Sequence, residues 1–368
     1  MRKQLGVIVA ALLYFSGLAT LTCRWIQHRG PRLVILNYHR ATGGDLRRHL
    51  LYLRRHYRLL HVEDALQELY APPEPGKRVK DRRMPLVLTF DDGYHDNYTH
   101  AFALARELQV PITIFLIPGY IENGDHFWWL EGNRLVRRAQ VSEVTIEGQV
   151  YRLERPEEQD RLARVIDTHA RYATSVAERE AFLARMREML HVPNEVTVEE
   201  EAECPLTWAE VKKMQESGWV SFGAHTMHHP LLAYLADAEE VRREVEDSRM
   251  LLEQQLGQPV RAFAYPVGKP EHFGEQGLEA VKAAGYTWAL TTMQGMNIPQ
   301  SDPYHLRRVS GDVSRHWLVM AVEASGIWHI FSPLWKKKPL LPARGPVFLN
   351  KPVVHLSELR NNDERRGT

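Results

Sequence analysis

From Pro31 onward, short apolar runs alternate with stretches of helical periodicity, which commits the chain to a sheet of parallel strands with helices covering both faces. The strand-type runs are Leu33–Asn37, Pro85–Phe90, Ile112–Ile117, Trp219–Gly223, Val260–Tyr265 and Tyr286–Thr291. Helical spacing occupies Leu46–His56, Val62–Tyr70, Asn97–Leu108, Trp208–Ser217, Asp237–Leu256 and Glu275–Ala284. A barrel and an open doubly wound sheet both satisfy this α/β pattern. Between Asn123 and Cys204 the alternation lapses into a Trp-rich start, an Arg- and Glu-rich middle and an acidic end. Residues 123–204 therefore read as a helical insertion, with Leu162, Val165, Ile166, Phe182, Leu183, Met186 and Met189 spaced for two amphipathic helices on the main body. Without it, residues 31–310 form a body of one-barrel size, followed by a C-terminal extension, 311–368.

Residues 1–30 obey another rule. Leu5 to Cys23 carry no charge and at about 1.5 Å per residue nearly cross a hydrocarbon core of about 30 Å, so a transmembrane anchor is expected here. A cleaved signal peptide, with Gly17-Leu18-Ala19 as a weak processing site, is the alternative. Arg2 and Lys3 before the run and Arg24, Arg29 and Arg32 after it leave the orientation open. Over the whole chain, 47 Lys+Arg balance 46 Asp+Glu, which argues against a nucleic-acid partner held by bulk charge. Cys23 and Cys204 are too few for a disulfide framework or a cysteine-based zinc site, so any metal must sit on His, Asp or Glu.

Three constellations follow strand-type runs. In Thr89-Phe90-Asp91-Asp92-Gly93-Tyr94, successive side chains diverge, so one carboxylate can hold a metal while its neighbour acts as a base; an ordinary Asp-Gly turn is the structural alternative. In Gly223-Ala224-His225-Thr226-Met227-His228-His229-Pro230, His225 and His229 face the same way if the segment makes a helical turn, and two imidazoles with a carboxylate suit a divalent transition metal. A polar surface turn would also explain that segment. In Arg261-Ala262-Phe263-Ala264-Tyr265-Pro266-Val267-Gly268, the arginine could orient a carboxylate and a turn N–H could face a developing oxyanion, although a plain core strand explains the run as well.

Taken in this order, the three constellations resemble the polysaccharide deacetylases of carbohydrate esterase family 4 over roughly Leu33 to Ser310. The resemblance implies a distorted (β/α) barrel and metal-dependent removal of N-acetyl, less often O-acetyl, groups from a carbohydrate. It implies Asp91 as general base, Asp92, His225 and His229 as metal ligands, Arg261 as the partner of Asp91 and the Tyr265 backbone N–H as an oxyanion donor. The implied cofactor is a divalent metal ion, zinc first, with cobalt, nickel or iron compatible. The late Leu-x-x-x-x-x-His and Asp-Trp motifs of many members are not apparent. Leu36-Asn37-Tyr38-His39-Arg40 instead resembles the exopolysaccharide-associated branch, whose first strand ends in Tyr-His, and His39 is expected to serve as proton donor. Acting on an exopolysaccharide or other envelope glycan, such an enzyme would be membrane-anchored and extracytoplasmic (periplasmic), or secreted if the segment is cleaved. A deformylase acting on a lipid-linked sugar and a catalytically silent carbohydrate-binding protein of the same fold are the alternatives. Phe127-Trp128-Trp129 could offer sugar-stacking surfaces, with a core role for the tryptophans as the default reading, and the aromatic and basic run from Ile327 to Lys338 could touch a membrane surface, with a tail packed on the barrel as the equal alternative.

Overall fold

The computed structural model describes residues 2–71, 81–193, 197 and 200–327, so the run beyond Ile327 lies outside the described residues. Its strands are β1 (Val34–Tyr38), β2 (Arg58–Leu60), β3 (Pro85–Phe90), β4 (Ile112–Leu116), β5 (Glu143–Ile146), β6 (Gln149–Arg152), β7 (Val220–Ala224), β8 (Ala262–Ala264), β9 (Trp288–Gln294) and β10 (Leu306–Ser310). Seven of them close into a parallel barrel in the order β1-β10-β9-β8-β7-β4-β3, the last pairing back onto β1 from Val34 opposite Leu86 to Tyr38 opposite Phe90. Closure decides between the two architectures left open by the alternation. Strand β2 pairs with the start of β3, whose end pairs with β4.

The barrel is built by side-chain alternation. Val34, Leu36, Leu86, Leu88, Ile112 and Ile114 face outward into the layer of covering helices. Leu33, Ile35, Val87, Phe115, Ala262, Ala264, Leu290 and Leu306 form the interior cluster, into which helix Val62–Tyr70 sends Val62, Ala65, Leu66 and Leu69. The same parity directs His39, Asp91, His225 and Arg308 toward the interior and the barrel mouth. Strand β10 escaped the sequence reading because Arg307-Arg308 interrupts its apolar pattern, yet Arg308 is only 1% exposed.

The insertion is a unit with its own core. Helix Trp128–Arg138, the β5–β6 hairpin and helices Pro156–Arg171 and Val176–Met189 pack Trp128, Leu135, Tyr151, Leu162, Ile166, Leu183 and Met186 together with Tyr94, Ile117 and Tyr120 of the barrel mouth. Both expected amphipathic helices are present; the hairpin was not expected. At the N-terminus the uncharged run forms two helices and not the single one expected. The chain forms helices Arg2–Phe15 and Leu18–His28, with Gly17 at φ 78 between them and a bend of 64° across Gln4–Phe15 and Leu18–His28. No single helix among the described residues is long and apolar enough to cross a membrane. Gly17 adopts the left-handed conformation that ends a helix at little steric cost.

The interior near the mouth has little slack. A methyl group on Gly223 of β7 would lie 2.4 Å from the Phe115 ring and 2.9 Å from the Ala262 carbonyl oxygen. Gly223→Ala is therefore expected to cost about 1–3 kcal/mol, measured as a fall in denaturant midpoint; an unchanged midpoint would show that β4 and β8 can yield.

Candidate active site

The site forms where β3 and β7 end. The β3 ladder runs one residue past the strand, with Asp91 N–H donating to the Tyr38 carbonyl at 2.9 Å, and then turns sharply through Asp92 at φ 73 and Gly93 at φ 71. At β7, His225 N–H donates to the Leu116 carbonyl at 2.9 Å before Thr226 and His229 adopt φ 67 and φ 55. Among the described residues, four of the seven non-glycine residues with positive φ, namely Asp92, Thr226, His229 and Val267, lie in the loops that follow β3, β7 and β8. Such backbone is costly for a β-branched residue, and its concentration at one end of the barrel marks the region where geometry is imposed.

These turns bring Asp92, His225 and His229 together, with one potential ligand atom from each within 4.8 Å of the others. All three residues are buried. Asp92 Oδ1 lies 3.5 Å from His225 Nε2 and 3.7 Å from His229 Nε2. The His225 Nδ1–H donates to the Ala264 carbonyl at 2.6 Å, which fixes the ring and leaves Nε2 facing the aspartate. Burial lowers the pKa of His225, but the neighbouring Asp92 carboxylate, the charge of Asp91 and the hydrogen bond to the Ala264 carbonyl hold it above the ordinary imidazole value. Burial, reinforced by His225, Arg179 and His39, holds His229 well below that value. Asp92 Oδ1 and His229 Nδ1 are buried without a hydrogen-bond partner. Unsatisfied buried polar atoms are costly, and a carboxylate with two imidazoles is a donor set suited to a divalent transition metal. The residues present fit such an ion.

Asp91 points into a second, electrostatic arrangement. Its Oδ1 accepts a hydrogen bond from Arg308 Nη1 at 2.7 Å, and its Oδ2 lies 3.9 Å from His39 Nε2. Burial pushes the Asp91 carboxyl up, but the charges of Arg308, His225 and His39 and the Arg308 hydrogen bond outweigh it and hold the pKa below the ordinary aspartate value. Arg308 is held in turn by Nε donating to the Thr291 carbonyl at 2.9 Å. His39 is half exposed, on the side of Asp91 away from the arginine. Its loop is pinned by the fully buried Asp96, whose Oδ2 accepts from Arg40 Nε, Ala41 N, Thr42 N and Thr42 Oγ1. Asn97 Nδ2 donates to the His39 carbonyl at 2.9 Å, from the start of a π-helical segment, Asn97–Phe102. Neither Asp96 nor Asn97 was singled out from sequence; the available signal was their closeness to the Asp91-Asp92 turn.

The insertion supports the histidine loop directly. Trp128 Nε1 donates to the His229 carbonyl at 3.0 Å, and the buried Arg179 donates through Nη2 to the His228 carbonyl at 3.0 Å. Phe127 and Trp128 are core residues, 0% and 2% exposed, which agrees with the default core role for the tryptophans and leaves neither of them as a sugar-stacking surface. Trp129 is partly exposed, stands 4.4 Å from the His229 ring and donates to the Tyr94 hydroxyl at 2.7 Å. His228 turns away to Glu244, with Nδ1 2.6 Å from Oε1.

Two expected roles are overturned. Arg261 does not hold Asp91. It precedes β8 and so lies at the opposite end of the barrel, where it is exposed and donates to Glu63 through its backbone N at 3.0 Å and through Nη1 at 3.1 Å. Arg308 occupies the expected position beside Asp91. The Tyr265 N–H is already committed, donating to the Leu290 carbonyl at 3.1 Å in the β8–β9 ladder, so it is not available to an oxyanion while that ladder stands.

The family description "polysaccharide deacetylase" matches residues 78–289, more than half of the 368-residue chain. The Bacillus subtilis (strain 168) protein YxkH, named for the same activity, is 23% identical over 294 residues, which cover 78% of this chain and 75% of that protein. The deacetylase PplD of Streptococcus pyogenes, solved in complex with acetate, superimposes with a TM-score of 0.51 at 18% identity, covering 80% of this chain and 99% of PplD. IcaB from Ammonifex degensii gives a TM-score of 0.50 at 19% identity, covering 80% of this chain and 98% of IcaB. At such identities the two structures speak to the fold alone.

Three outcomes follow from the site geometry. Trp128→Phe, which removes the hydrogen bond to the His229 carbonyl, should weaken metal affinity by about 10-fold, measured by competition with a chromophoric chelator; unchanged affinity would show that the insertion does not support the loop. Arg308→Gln should cost roughly 3 kcal/mol of stability because Asp91 is left as an uncompensated buried charge. Arg261→Gln should leave the denaturant midpoint within about 0.5 kcal/mol of the parent, as expected for an exposed pair.

Proposed function

Since the chain belongs to the polysaccharide deacetylase family, hydrolases of linear amides, we propose that it removes N-acetyl groups from an exopolysaccharide or other envelope glycan in a metal-dependent reaction. The observation that carries this reading is the convergence of Asp92, His225 and His229 beside Asp91, with His39 on the far side of Asp91. Zinc is the preferred metal because it accepts two imidazoles and a carboxylate while leaving positions open; cobalt, nickel and iron accept the same set. The substrate class draws support from Tyr38-His39 at the end of β1, attachment to a membrane draws support from the apolar N-terminal helices, and its outer side follows from an envelope substrate.

An amide is a poor electrophile and its amine a poor leaving group, so hydrolysis needs an activated water, stabilised charge and a delivered proton. A divalent cation held by Asp92, His225 and His229 would supply Lewis acidity, polarising the acyl oxygen and bringing the pKa of a water ligand toward about 7. Asp91 is the acceptor for the proton of the attacking water, since its lowered pKa keeps it ionised and Arg308 occupies one oxygen, leaving Oδ2 toward the cleft. His39 is half exposed and close enough to that oxygen to face the same reacting centre, and in its protonated form it delivers a proton to the departing nitrogen. Trp129, partly exposed beside His229, is placed to bound the sugar on the insertion side.

The test is acetate release from acetylated glucosamine oligomers by the purified chain, with bound metal measured in parallel. Asp91→Asn should retain the metal and lose turnover by about 10²–10⁴, and full turnover would remove Asp91 from the base role. His39→Ala should lose a similar factor on the amide but much less on an aryl acetate, whose leaving group needs no proton. Equal losses on the two substrates would contradict the donor assignment.

A further inference from the structure

Eight of the thirteen exposed large hydrophobic side chains among the described residues fall between Leu5 and Trp25. They form one continuous face on each helix. Leu5, Ile8, Val9, Leu12 and Phe15 recur at helical spacing on the first, and Leu18, Leu21 and Trp25 on the second, with Leu12 67% and Phe15 75% exposed. The other side is bound to the protein: Ala10 and Ala19 pack with Leu318, Val322 and Ile327, and the Tyr14 ring meets Trp317 at 5.3 Å and Tyr52 at 5.9 Å.

We propose that this bent helix pair is a docking surface for one leaflet of an anionic phospholipid bilayer, lying in the interface and not crossing it, and that it holds the barrel against the membrane. The proposal deepens the membrane attachment stated above and is independent of the chemistry assigned to the site. Geometry argues against a span: Arg2–Phe15 alone has 14 residues, about 21 Å at 1.5 Å per residue, short of a core of about 30 Å, and the two helices, long and apolar enough only when taken together, are bent by 64°. Straightening the 64° bend would pull Tyr14 from Trp317, and a spanning helix would not have one face occupied by its own domain. Charge identifies the occupant. The first acidic residue of the chain is Asp45, whereas Arg2, Lys3, Arg24, Arg29 and Arg32 lie in or beside the helix pair, so the segment is purely cationic. A second copy would oppose these like charges, and anionic headgroups neutralise them. The Arg29 guanidinium lies 3.7 Å from the centre of the Trp25 ring, an aromatic and basic pairing suited to the headgroup region beside the apolar face.

Flotation of the full chain with vesicles of phosphatidylethanolamine and phosphatidylglycerol tests the surface. The parent should float with the lipid, and the Leu12→Glu, Phe15→Glu, Leu21→Glu triple variant should lose at least about 10-fold of its partitioning while its thermal midpoint is unchanged, since all three side chains are exposed. A parent that stays with the soluble fraction, whether monomeric or dimeric, overturns the proposal, as does a triple variant that floats like the parent. Depth is tested with Gln4→Cys in a Cys23→Ser, Cys204→Ser background, added to preformed vesicles. Labelling by an impermeant maleimide from outside is expected, and protection until the vesicles are opened would establish a span and overturn the in-plane arrangement. These readouts do not use turnover, so they stand or fall apart from the deacetylase reading.

Discussion

The buried ion pair between Asp91 and Arg308 is the interaction on which the site depends. Both side chains are at most 2% exposed and meet at 2.7 Å. Taking two charges out of water is expensive, and it is compensated only when the remaining hydrogen bonds are good. Arg308 meets that condition in part, through the Thr291 carbonyl and the Thr89 hydroxyl, although Nη2 has no partner. The outcome is a carboxylate kept ionised inside a barrel, with one oxygen fixed and the other turned toward His39. Strand order explains why these groups meet: β10, β1 and β3 are successive neighbours, and they supply Arg308, His39 and Asp91 in that order. Asp92, one residue further, turns to the opposite side and joins the histidines after β7. The adjacency of Asp91 and Asp92 thus joins the Arg308 ion pair to the cluster of Asp92, His225 and His229 at one turn.

That turn is held by imposed geometry. Asp92, Thr226 and His229 all have positive φ, and each such conformation costs on the order of 1–3 kcal/mol for a non-glycine residue. The surroundings that compensate come from outside the barrel alternation. Trp128 and Arg179 of the insertion bind the carbonyls of His229 and His228, while Asp96 binds four donors of the loop after His39. The insertion accordingly supports the histidine loop and is not merely an addition to the barrel surface.

What could be read from the sequence follows from how local each feature is. Asp91-Asp92 and His225 to His229 are contiguous, each follows an apolar strand run, and parity alone brings them to one barrel mouth. Arg261 and Arg308 could not be separated in this way. Both lie near strand-type residues, and the choice depends on which end of the barrel each occupies. Arg308 was hidden because a buried guanidinium breaks the apolar pattern of β10. The availability of the Tyr265 N–H depends on the register of β8 against β9, which composition does not reveal. The β5–β6 hairpin did have a signal, since Glu147-Gly148 forms a two-residue turn with φ 50 and φ 76, a conformation favoured in tight hairpins. At the N-terminus a single Gly17 within the uncharged run was enough to divide one expected helix into two.

The central claim is that two imidazoles and one carboxylate bind a common ion. X-ray absorption at the metal edge of the purified, metal-loaded chain tests it most directly. The account predicts a nitrogen and oxygen shell with scattering from two imidazoles and no sulfur, and the loss of one imidazole contribution in His229→Ala. Thiolate scattering, or a ligand shell unaltered by His229→Ala, would contradict it.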